Sequence, residues 1–146
     1  MQPKVRLGGR EDWNAIAQLL RVNQLPTDGL TTDVDHLYVL DVGGTVAGAI
    51  GFETYAQDAL LRSLVVDSKI RGAGHGRSLL RLALHEAQKA GVRSVYGLTT
   101  TIPDLLAKVG FKEIQKEEIP SSVHKSWELR GGCPDSARAF RFTLGT

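Results

Sequence analysis

Arg71-Gly72-Ala73-Gly74-His75-Gly76-Arg77 is the stretch of this sequence best suited to holding a ligand. Glycine at every second position leaves a backbone that tolerates positive φ and that a ligand can approach without meeting a Cβ. The apolar run from Leu60 to Val66 reads as a buried strand leading into it, and a helical pattern begins directly after it. Peptide N–H groups of such a loop, with those of the first helical turn and the helix dipole, form an anion pocket. The stretch from Arg71 to Arg77 is therefore expected to grip a phosphate or pyrophosphate through its backbone. Arg62 is the second notable residue, because it interrupts the apolar run. An arginine on a central strand needs a carboxylate partner or an anionic ligand. Recognition of a substrate carboxylate and a structural ion pair are both open on the residues alone. Plain alternation places Leu60, Arg62, Leu64 and Val66 on one face of the strand and Leu61, Ser63 and Val65 on the other.

Two common phosphate motifs do not fit. A P-loop requires Lys-Ser/Thr after its last glycine, and no lysine follows these glycines. A dinucleotide fingerprint spaces its glycines as Gly-x-Gly-x-x-Gly near the start of a βαβ unit, whereas these alternate in mid-chain. The 146 residues, 42% hydrophobic and 23% charged, are expected to form one soluble globular domain over 1–146 with a sizeable core. A formal charge of +2 argues for neither a nucleic-acid nor a membrane partner. The single cysteine, Cys133, excludes an internal disulfide and a cysteine-based metal cluster, as expected of a cytoplasmic protein, and is not expected to be a nucleophile. His36, His85 and His124 lack metal-ligand spacing, so no metal is expected, and His75 is expected to contribute mainly its backbone. No stretch suggests a transmembrane helix or a signal peptide.

The positioning elements follow from pattern. Val5–Leu7 reads as a short strand. A helix starts at Glu11 and Asp12 and carries Trp13, Ile16, Ala17 and Leu20 at helical spacing. A break at 25–29 precedes a possible short helix from Thr32 to Leu37. Leu37–Val42 and Thr45–Thr54 form a hairpin around Gly43-Gly44. After Leu60–Val66 and the loop, a helix from about Gly76 to Ala90 buries Leu79, Leu80, Ala83, Leu84 and Ala87, and Gly91 stops it. Val92–Thr99 is a strand, Thr101 to Val109 holds a short helix, and Phe111–Ile114 and Ala139–Leu144 are the last strands. A strand–helix–strand crossover around the loop implies a parallel pair within a mixed sheet.

Arg71-x-x-Gly74-x-Gly76, set between this strand and this helix, resembles the coenzyme A loop of the GNAT acetyltransferase superfamily. The element order resembles that layout over nearly the whole chain. The resemblance implies an α/β (α+β) fold, a central mixed β-sheet flanked by helices on both faces, and an acetyl-CoA-dependent N-acetyltransferase. Leu98-Thr99-Thr100 through Gly110-Phe111, with Ile119-Pro120, resembles the acetyltransferase domain of bacterial N-acetylglutamate synthases. Tyr55, the run Leu60-Leu61-Arg62-Ser63 and Cys133–Ala137 are more similar to small arsenic-resistance N-acetyltransferases. Both relatives imply a small amino-acid-like amine as acceptor. The segment from Leu25 to Thr32 lacks the arginines those synthases carry there, which argues against glutamate itself. Acetylation of protein or peptide amines, and a coenzyme A-binding module without catalysis, are the alternative readings. Homodimers are common in the superfamily.

In that superfamily the amine attacks the thioester directly. The resemblance assigns the coenzyme to backbone groups of Leu64, Val65 and Val66 (the arm, with a Val65 N–H near the oxyanion) and to residues 71–77 (the pyrophosphate). Many members carry a tyrosine acid where this chain has Leu106, and a strand glutamate where it has Arg62. Proton transfer then falls to Glu53, the nearest carboxylate, and to a hydroxyl such as Thr99.

Overall fold

The computed structural model describes residues 2–27, 30, 34–126 and 136–144. Seven strands form one sheet: β1 (Lys4–Leu7), β2 (His36–Val42), β3 (Thr45–Tyr55), β4 (Asp58–Val66), β5 (Ser94–Thr99), β6 (Lys112–Ile114) and β7 (Arg138–Thr143). Their spatial order is β1-β2-β3-β4-β5-β7-β6. All neighbours are antiparallel except β4 and β5, the parallel pair expected from the crossover. Among the described residues, three α-helices, α1 (Trp13–Val22), α2 (His75–Lys89) and α3 (Pro103–Val109), cover the sheet.

The faces follow from side-chain alternation. Tyr38, Leu40, Ile50, Phe52, Leu61 and Val95 point to one side, where the apolar stripe of α2 packs with Leu106 of α3. Val39, Ala49 and Val65 point to the other side and meet Ile16 and Leu20 of α1. Farther along that second side, Leu60, Tyr96 and Ala139 pack on Ile119 and Val123. Each helix ends by a tight backbone closure. At α2, Gly91 (φ +87°) places the Val92 N–H on the Ala87 carbonyl at 3.0 Å and its own on Gln88 at 3.1 Å. α1 closes likewise, with Leu25 N–H on the Leu20 carbonyl at 2.8 Å, and there the left-handed position is Gln24 (φ +59°).

Four expectations change. His36, expected in a short helix from Thr32 to Leu37, instead begins β2 ahead of Leu37, the expected strand start, since the hairpin partner Phe52 extends the ladder to it, while Thr32 and Asp33 lie outside the described residues. Val92 and Arg93 precede β5, because Val92 completes the closure of α2. Phe111 and Leu144 likewise fall just outside the last two strands. The simple alternation along β4 fails. Gly51 pairs with Arg62 but Ala49 pairs with Val65, so β4 carries one extra residue against β3. That bulge sits at Ser63, whose φ of +62° turns the strand over. Leu60 and Arg62 therefore lie on the α1 side, whereas Leu64 and Val66 lie with α2.

The start of the chain is fastened by charge. Arg6 donates from both terminal nitrogens to Asp12 at 2.9 Å and from Nε to Asp41 at 3.0 Å, while Asp12 also accepts the Gly9 N–H at 2.8 Å. The guanidinium of Arg6 holds the Asp12 carboxyl below the ordinary carboxylate range, against the opposing effect of burial. A carboxyl depressed in the folded state stabilises fully above its unfolded value of about 3.9 and loses that contribution as pH falls through the folded value. Asp12→Asn should therefore cost about 1–2 kcal/mol near neutrality, the lower range applying because Arg6 is partly open to solvent. Urea unfolding at several pH values should show the gap between wild type and variant closing below about pH 4.

Candidate functional site

The parallel ladder between β4 and β5 is short. It joins Asp58 to Ser94, Ala59 to Val95 and Leu60 to Tyr96, and no further pair is recorded among the described residues. The bulge at Ser63 turns β4 just beyond the last pair. β4 keeps its antiparallel pairing to β3 through Val65 and Val66, so its free side faces the opening toward β5. In this wedge lies a cavity of about 660 Å³. Leu64, Val65 and Val66 form one wall, and Thr101, Ile102 and Leu105 the opposite one.

The glycine loop closes one end. The short 3-10 turn Ser68–Ile70 is started by Asp67, whose carboxylate accepts the Lys69 N–H at 3.0 Å. Gly74 caps α2 in the left-handed region, φ +83°, and the first intrahelical bond runs from Ser78 N–H to the Gly74 carbonyl at 3.0 Å. The N–H groups ahead of Ser78 in the first turn thus have no acceptor within the helix. A Cβ built at Gly74 would meet nothing within 4 Å, so the space over this turn is open. Arg71, Gly72, Gly74, His75, Gly76 and Arg77 all line the cavity, while Ala73 does not. Positive side chains, backbone donors and a helix N-terminus together favour an anionic group.

The other sequence-derived residues lie apart from this wall. Glu53 and Arg62 are both buried, with side-chain exposures of 0% and 1%, and Arg62 Nη1 stands 3.2 Å from Glu53 Oε2. The Tyr55 hydroxyl also donates to Glu53, and Arg62 Nε reaches Ser63 Oγ at 3.2 Å. Arg62 thus has a carboxylate partner within the chain. Thr99 points to the α2 side of the sheet, opposite Glu53, and its Oγ1 accepts the N–H groups of Thr101 and Ile102 at 3.1 and 2.9 Å. It thus caps the approach to α3. Glu53, Arg62 and Thr99 are not among the cavity-lining residues. Leu106 is buried in the core, whereas its neighbour Leu105 faces the cavity. Cys133 lies outside the described residues.

Sequence reasoning missed Asn23 and Leu25, which bring the end of α1 to the cavity. The only local signal was that they end a helix; their distance in sequence from the loop hid the contact.

Residues 10–111 match the model of the acetyltransferase (GNAT) family. The chain belongs to that family. An uncharacterized N-acetyltransferase of Chlorobaculum tepidum is 34% identical over 106 residues, which cover 69% of this chain and 65% of that protein. An amino-acid acetyltransferase of Neisseria meningitidis serogroup B is 22% identical over 104 residues, 70% of this chain and 24% of that protein. The chain therefore spans less than two thirds of the length of either relative. Among solved structures, N-acetylglutamate synthase from Neisseria gonorrhoeae, complexed with coenzyme A and N-acetyl-glutamate, is similar with a TM-score of 0.79. That likeness, at 19% identity, covers 100% of this chain and 36% of that one and speaks to the GNAT fold alone. Acetyl-CoA is the cosubstrate of the GNAT family. The donor set fits such a molecule, with backbone N–H groups and Arg77 for a pyrophosphate and, among the described residues, a side of β4 beyond its last β5 pair for the amides of its arm.

Proposed function

We propose that this chain is an acetyl-CoA-dependent N-acetyltransferase of a small amino-acid-like amine, acting by direct attack in a ternary complex in the cytoplasm. The cavity in the β4–β5 wedge, closed by the glycine loop, is the observation that carries this reading. Acetyl-CoA supplies the activated acyl group as a thioester. The acceptor must be neutral to attack; a C–N bond forms, the C–S bond breaks, and the ammonium proton leaves while the thiolate gains one. In this reading the Arg71–Arg77 backbone binds the pyrophosphate and residues 64–66 align the arm. Glu53 draws the amine's proton through water, Arg62 attracts an acceptor carboxylate, and Thr99 donates toward the leaving thiolate. The small-amine preference is supported by the names of the relatives and by the resemblance to the arsenic-resistance enzymes.

The test is turnover, followed as free thiol, across a panel of amino acids, arsenic-containing amino acids, simple amines and peptides. Release with free amino acids should exceed that with peptides, and two-substrate plots should intersect. Activity should rise toward about pH 8 as an α-amino group loses its proton. A preference for peptides would move the acceptor class to protein amines. Coenzyme binding with no turnover on any amine would make the chain a binding module, and parallel plots would overturn the ternary mechanism.

A further inference from the structure

Arg71 does not reach away from the protein. Its Nε donates to the Val66 carbonyl at 3.0 Å, and its Nη2 donates to the side-chain oxygen of Asn23, forty-eight positions away in sequence. Asn23 is the residue that ends α1. Its Nδ2 donates to the Leu19 carbonyl at 2.8 Å, and its backbone N–H is shared between Leu19 and Leu20 at 3.2 and 3.1 Å. The next two residues complete the closure of the helix, so Asn23 is held from both sides. One guanidinium thus ties three elements that border the cavity: the end of α1, the last residue of β4 and the first residue of the glycine loop.

We infer that Asn23 and Arg71 form a clasp through which the end of α1 sets the coenzyme loop, which makes Asn23 a positioning residue for coenzyme A. A loop with glycines at 72, 74 and 76 has little rotational restraint of its own and loses entropy when it orders around a ligand. Fixing its first residue to a helix end and a strand end removes part of that cost before the ligand arrives. The amide of Asn23 matches the task, because its oxygen accepts from Arg71 while its nitrogen serves α1. The inference rests on the reading of the cavity as a coenzyme A site.

The experiment is a double-mutant cycle on coenzyme A affinity, measured by calorimetry on wild type, Asn23→Leu, Arg71→Ala and the double variant, with thermal melts alongside. Each single change should weaken binding by roughly 5- to 30-fold, and the double by little more than the weaker single variant, because either change opens the same clasp. Asn23→Asp, which still accepts from Arg71, should bind better than Asn23→Leu. A purely structural role would lower the melting temperatures and leave the dissociation constants unmoved, which overturns the inference. Additive losses would show that each side chain meets the ligand separately, and would overturn it as well. Failure of the wild-type chain to bind coenzyme A would instead remove the parent reading and this inference with it.

Discussion

Gly74→Val should lower the affinity for acetyl-CoA by more than about 100-fold while the protein remains folded, since losing two charge-assisted hydrogen bonds costs about 3–6 kcal/mol. Gly74 caps α2 with φ at +83°, a conformation a β-branched residue resists. To escape it the loop must rotate, which re-aims the N–H groups of the first turn of α2. The fold should tolerate this, because nothing packs within 4 Å of the added Cβ. The cost stays local, at about 1–2 kcal/mol for a side chain in the left-handed region. Calorimetry combined with a thermal melt separates the two quantities. A folded Gly74→Val protein with unchanged affinity would remove the glycine loop from the coenzyme site.

Arg62→Ala should destabilise the protein by about 3–5 kcal/mol, the usual result of removing one partner from a buried ion pair. The variant leaves Glu53, with no exposed surface, facing a truncated side chain in the middle of the sheet. The loss should be strongly coupled to Glu53. In a cycle with Glu53→Gln, the double variant should be less destabilised than the two single losses added together. Denaturant unfolding of the four proteins measures this coupling, and simple additivity would show that the pair contributes nothing to stability. The acceptor role proposed for Arg62 needs a gentler change. Arg62→Lys keeps a cation beside Glu53 but loses the fork that binds a carboxylate with two parallel bonds. It should raise the acceptor KM about tenfold without altering coenzyme A affinity. A KM that does not move would leave Arg62 as a structural partner of Glu53 alone.

These two residues differ in how far their sequence context revealed them. The glycine loop was legible because its signals are local: a Val-rich strand, alternate glycines and an amphipathic stripe lie within about twenty positions, and each acts through its own backbone. The hairpin at Gly43-Gly44, the buried stripe of α2 and its closure at Gly91 were legible for the same reason. The parallel pairing of β4 and β5 followed from a crossover too long for a hairpin.

What alternation could not convey was the face on which a β4 side chain falls. One extra residue at Ser63 reverses every position after it, and a serine at φ +62° leaves no mark that distinguishes it from a serine in regular strand. Arg62 therefore parted from Leu64 and Val66, and the strand's free side turned toward the cavity. The partner of Arg62 was equally hidden, because cross-strand neighbours depend on register, and register is set by packing summed over the whole sheet. Thr99 was visible as a hydroxyl near the strand end, but only the path of the chain into α3 shows that it caps two N–H groups on the side away from Glu53. Residue types and their local spacing determined the elements and the glycine loop set between β4 and α2. Tertiary structure alone decided which distant side chains meet, above all Asn23 with Arg71 and Glu53 with Arg62, since such contacts arise from long-range closure of the sheet and leave no period in the chain.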